Sequence, residues 1–146
     1  MGNGKIRNKQ NKWRYIVFGV ILLSVIGIGA SYIYQRSIYT GIPDLSNNFD
    51  SGGNYYMSVV SNSREISDKE AFAEQIVQMS RDNSFKTIKF CVEEKGYPQA
   101  MNVSVYRTSK DIEKGNPVFQ FNYAPDDDNV GYDIYHNPEK YKLVIQ

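Results

Sequence analysis

The sequence predicts an α+β fold carried behind one membrane-crossing segment: a single N-terminal transmembrane helix, then a small extracytoplasmic domain with one helix packed on an antiparallel sheet of about five strands. Three observations lead there. Tyr15 to Gln35 runs for 21 residues without a charge, between Arg14 and Arg36. Residues 67–80 place apolar side chains at helical spacing behind a capping signal. From Ile88 to Ile145, apolar residues recur at period two in short runs separated by turns.

Residues 1–14 form a basic tail with Lys5, Arg7, Lys9, Lys12 and Arg14 and no acid. From Ser37 onward there are 11 Lys and Arg against 16 Asp and Glu, a net of −5. Positive residues beside an apolar span resist translocation, so the tail belongs in the cytoplasm and the acidic part outside it. The tail can also rest on anionic lipid head groups. These topogenic charges account for the tail without nucleic acid as a partner.

Residues 15–35 match a hydrocarbon core, since about 20 helical residues span roughly 30 Å. A cleavable signal peptide has a shorter apolar core and a small-x-small cut site. The best cut here, after Ser31 with Gly29 before it, would leave Tyr32-Ile-Tyr behind, so the segment reads as an uncleaved signal anchor. Trp13, Tyr15, Tyr32 and Tyr34 suit the two interfaces. Ser24, Gly27 and Ser31 fall on one narrow face, and small residues at that spacing let membrane helices approach closely, in a homo-oligomer or with a partner.

Residues 36–54 read as a juxtamembrane linker, with Pro43, three glycines and little periodicity; Ile42 and Leu45 could pack back on the domain. The domain proper is expected over 55–146. Tyr55–Val60 is a strand by its β-branched and aromatic content. Ser67 and Glu70 form a capping box for a helix with Phe72, Ile76 and Met79 on one face, stopped at Asn83, which tolerates the left-handed cap position. Further strands follow at Ile88–Val92, Met101–Val105, Pro117–Tyr123 and Tyr141–Ile145, and Ser109–Asn116 is a polar connection. Short turns between successive strands argue for an antiparallel meander.

Chemistry is sparse. Cys91 is alone, which excludes an intrachain disulfide and a CxxC pair and favours a bacterial exported domain over a small eukaryotic secreted one. It reads as a sheltered structural thiol. His136, the single histidine, reads as an exposed turn residue before Asn137-Pro138, with no serine motif around it. Asp126, Asp128 and Asp133 gather in one acidic loop and are the candidates for a calcium ion, but positions five and twelve of an EF-hand would be Val130 and Asn137. No cofactor is expected otherwise. Of nine tyrosines after Arg36, Tyr55, Tyr97, Tyr106, Tyr132 and Tyr135 are candidates for an interaction face, because the ring gives large area with few rotatable bonds and a polar tip.

Together these features imply a non-enzymatic, single-pass protein of the cell membrane, its C-terminal domain an accessory or interaction subunit of a bacterial envelope complex. The alternative is a ligand-binding or sensor module for a cation or envelope glycan, or an immunity-type protein.

Overall fold

The computed structural model describes residues 3–126 and 131–146. The chain divides into two compact units, Met1–Ile38 and Tyr39–Gln146. The first is one helix, α1 (Asn3–Ile38). Within it, Lys12–Tyr34 is long and apolar enough to cross a membrane, and none of that window is buried. Trp13, Phe18, Leu23, Ile28 and Ile33 are each about 70 % exposed, so its apolar side chains point outward all round.

The second unit is α+β. Its sheet has strands β1 (Asp44–Ser51), β2 (Asn54–Val60), β3 (Ala100–Tyr106), β4 (Phe119–Pro125) and β5 (Tyr141–Ile145), side by side in chain order. The pairs β1–β2, β3–β4 and β4–β5 are antiparallel, but β2 and β3 run parallel. The expected antiparallel sheet is therefore mixed. The cause is the helix between them, α2 (Lys69–Arg81): a chain that leaves one strand, crosses the sheet through a helix and returns beside that strand enters in the same direction.

The segment expected as a linker carries β1. Gly52 and Gly53, at φ +63° and +87°, form the two-residue turn of the β1–β2 hairpin, where both positions need the left-handed region. A bulge between Leu45 and Asn47 leaves Ser46 unpaired. Because of it, Leu45 is fully buried against Val59, while Phe49, four residues on, is 63 % exposed beside Tyr56. An unbroken strand would put both on one face.

The core lies between α2 and one face of the sheet. Ala73, Ile76 and Val77 of α2 meet Tyr55, Met57, Val59, Met101, Val103, Val105, Phe119, Phe121 and Tyr123, with Phe85, Phe90, Ile134 and Tyr141 closing the sides. Phe72 and Met79, expected on the apolar face of the helix, are only partly buried. The N-cap of α2 is Asp68, not Ser67: the Asp68 carboxylate accepts from the Ala71 backbone N–H at 2.9 Å. Asn83 does take the left-handed conformation after the helix, at φ +48°.

Ile88–Val92 is not a strand. Asn83 uses its carboxamide to accept from Phe90 N–H at 2.8 Å and to donate to Phe90 C=O at 3.0 Å, so a side chain satisfies the backbone groups a neighbouring strand would have taken. The chain then turns through the short helix α3 (Val92–Lys95). Ser109–Glu113 forms another, α4, capped reciprocally by Thr108 and Asp111 where a plain connection was expected.

Candidate functional site

The sheet has a second face, away from α2, and its composition follows from strand alternation. One row across all five strands reads Phe49, Tyr56, Asn102, Asn122 and Val144; the next reads Asn47, Ser58, Ser104 and Gln120, with Gln146 beside it. Neighbouring strands lie about 4.8 Å apart, so the first row extends roughly 19 Å. The rings of Phe49 and Tyr56 stand 6.2 Å apart at one end. In the middle, Asn122 Nδ2 donates to Asn102 Oδ1 at 3.0 Å and Gln120 Nε2 donates to Ser104 Oγ at 2.7 Å. These bonds fix the amides while leaving donor and acceptor positions of all four side chains unused. A shallow depression of about 390 Å³ runs over Asn102, Ser104 and Gln120, between Asn47, Phe49, Tyr56, Ser58 and Gln146, with Asn122 just outside its lining. Sequence reasoning missed this face. Its only signal was the polar residue at every second position of three strands, which reads equally as ordinary solvated surface.

The five tyrosines expected to form an interaction face do not share one. Tyr55 is buried at 3 % exposure and packs edge-on against Phe90. Tyr106 is buried opposite Val60 at the far end of β2 and β3. Tyr132 is half-buried against the core. Tyr97 and Tyr135 do come together, stacked with centroids 4.4 Å apart and planes 7° from parallel. Burial pushes the Tyr55, Tyr123 and Tyr141 phenols up; Tyr141 donates to Gln99 C=O at 2.7 Å, a bond that exists only in the neutral form.

His136 adjoins the Tyr97–Tyr135 stack, edge-on to both rings. Its Nδ1 lies 2.7 Å from Asp133 Oδ2, and Asp133 Oδ1 accepts from the backbone N–H groups of Tyr135 and His136. Burial works upward on the Asp133 carboxyl, but these hydrogen bonds outweigh it and hold the group below its ordinary value. The histidine is an exposed turn residue, as expected, oriented by an acid. Asp133 is its only side-chain hydrogen-bond partner among the described residues. The arrangement holds the turn together, with Ile134 buried beneath it and Ile134 N–H donating to Pro98 C=O at 3.0 Å.

Of the candidate cation ligands, Asp126 pairs with Lys142, Asp133 with His136, and Asp128 lies outside the described residues. Among the described residues no three acids, cysteines or histidines gather as a metal would need. Cys91 is exposed, not sheltered, because the segment carrying it is a loop before α3 and not a strand in the sheet. It borders a depression of about 460 Å³ with Glu93, Glu94 and Tyr97. On α1, Ser24 and Ser31 are exposed, nothing comes within 4 Å of a Cβ built at Gly27, and the Ser24 hydroxyl donates to its own helix at Val20 C=O.

Comparison of the chain with protein-family models, with curated proteins and with solved structures finds no match.

Proposed function

We propose that the chain is a single-pass membrane protein whose C-terminal unit works outside the cytoplasm as a non-catalytic interaction module of a bacterial envelope assembly. The observation that carries this reading is the helix Lys12–Tyr34, whose large apolar side chains are exposed on every side. A helix apolar all round needs hydrocarbon around it, and its length matches a bilayer core. The basic tail before it and the net negative chain after it support a cytoplasmic N-terminus. A non-catalytic role is supported by the site chemistry: among the described residues the His136 ring is bonded to Asp133 and to no serine or cysteine.

Cys91 makes the orientation directly measurable, since it is the single cysteine of the chain and is exposed. A membrane-impermeant maleimide should label it in intact cells, and the protein should stay with the membrane through alkaline carbonate washing. Labelling only after lysis would overturn the orientation. Recovery of a shortened, soluble product lacking the first 31 or so residues would make the segment a cleaved signal peptide. For the interaction role, a photo-crosslinking residue at position 56 should capture one reproducible envelope component; the same yield from a site in the covered core would refute a specific contact.

A further inference from the structure

We propose that the open face of the sheet binds an uncharged polysaccharide, its sugar rings lying on Phe49 and Tyr56 and its hydroxyls bonded to Asn102, Asn122, Gln120 and Ser58. This rests on the reading of the C-terminal unit as an extracytoplasmic interaction module, and names its site and ligand class.

The argument is one of matched chemistry. None of these six side chains carries a charge at neutral pH, and the nearest ion pair on this side, Lys142 with Asp126, sits at the rim where β5 faces Ala124. The one cation that strand parity puts on this face, Lys142, lies at the rim and is paired with Asp126, so an anionic polymer would meet an already engaged lysine and a net charge of −5 from Ser37 onward around it. A cation would find only the Asp126 carboxylate at that rim, already paired with Lys142. A protein partner asks for the reverse layout, an apolar centre with a polar rim; here the amides are central and the rings stand at the edge. An extended peptide adds to the backbone of an edge strand, not to side chains across a face. A second copy stacked face to face would bury several carboxamides with incomplete partners, which is costly.

A sugar chain fits each feature. Carboxamides both donate and accept, which suits hydroxyls, and the Asn122–Asn102 and Gln120–Ser104 bonds hold them in place before any ligand arrives. The C–H face of a pyranose lies flat on an aromatic ring, and Phe49 and Tyr56 are 63 % and 50 % exposed. The depression, about 390 Å³, is of the size that holds a short oligosaccharide within the usual range of small-ligand sites, roughly 300–1,000 Å³.

The test uses the full chain in detergent micelles on an array of neutral and charged oligosaccharides, followed by titration calorimetry with the best uncharged tetrasaccharide. Binding to at least one uncharged glycan is expected. Tyr56→Ala and the double variant Asn102→Ala/Gln120→Ala should each weaken it about tenfold or more, the equivalent of about 1.4 kcal/mol. Glu74→Ala on α2, remote from this face, should leave binding unchanged, and circular dichroism of each variant controls for folding. No uncharged glycan bound at millimolar concentration, binding confined to charged glycans, or binding indifferent to the face variants would overturn the proposal. If glycans fail while crosslinking at position 56 still captures one protein, the interaction module stands and the ligand class falls. If both fail, so does the module.

Discussion

Gly53 shows how much a single residue can carry in this chain. Its φ of +87° lies where side chains are strained, and a Cβ added there would meet the Gln99 side chain at 2.8 Å. Its carbonyl also accepts from Gln99 N–H at 2.8 Å, which ties the β1–β2 turn to the approach of β3. Gly53→Ala should therefore cost about 1–3 kcal/mol. In a unit of this size that lowers the melting temperature by about 4–8 °C for each kcal/mol. Gly52→Ala, also at positive φ but with open space around it, should cost about the same, because the Gly53 Cβ would meet only the movable end of the Gln99 side chain; a far larger loss at Gly53 in thermal denaturation would show that Gln99 cannot give way. Asp44 is a second such position. Burial works upward on its carboxyl, but hydrogen bonds from Thr87 Oγ1 and from the backbone N–H groups of Thr87, Lys86 and Leu45 outweigh it and hold the group below its ordinary 3.8. A carboxyl whose folded pKa is depressed stabilises the fold above the unfolded value and loses that contribution as pH falls through the folded one. Melting temperature should thus decline on acidification below about pH 4, the unfolded carboxylate range. Asp44→Asn should flatten that limb and lower stability at pH 7. Asp133 acts in the same direction, so a residual slope should survive in the single variant and shrink further with Asp133→Asn.

At the scale of elements, helix capping separates the sequence reading from the structure. Asp68→Ala should cost about 1 kcal/mol in urea denaturation, whereas Ser67→Ala, outside the cap, should stay within about 0.5 kcal/mol of the parent; the opposite order would restore the capping box. The two Asp/Ser candidates stand side by side, and propensity alone does not choose between them. The other elements divide by how directly side-chain pattern reports them. The strands Asn54–Val60, Ala100–Tyr106, Phe119–Pro125 and Tyr141–Ile145 were legible because each buries alternate apolar residues on one face. β1 was hidden because only Leu45 reaches the core from its apolar residues and the bulge breaks its alternation, although the Gly52-Gly53 pair was a usable hairpin signal. The alternation at Ile88–Val92 misled for the opposite reason: Phe90 is buried as any strand residue would be, but Asn83 takes the backbone bonds that define a strand. Apolar period two reports burial, and burial is not pairing.

At the scale of the whole molecule, four of the five strands were legible, and the sense of the β2–β3 pair was not. Helix-crossover logic could have assigned the parallel β2–β3 pair, since β-α-β order was already apparent from the sequence. The candidate site lay beyond sequence reasoning, because Tyr56, Asn102, Asn122 and Gln120 are scattered along the chain and become a surface only once register aligns them. The tyrosines chosen from composition scattered between core and turn for the same reason: residue type names a capacity, and strand parity decides where it is spent.

The order of the strands also bears on how the unit is made. Every strand lies next to its predecessor in the chain, so if the unit is exported from its N-terminal end, as proposed, each new strand meets an edge that is already waiting. Only one junction demands a long wait, between Val60 and Ala100, where the intervening loop must close before β3 can dock. A two-stranded hairpin is marginal by itself, and three strands against a helix can hold. Export should therefore have a single point of commitment. Chains stalled with about 30 further residues in the channel after Val60 should remain sensitive to external protease, while those stalled equally far beyond Tyr106 should already protect the first half of the unit. Protection arising gradually, strand by strand, would mean that the crossover is no threshold at all.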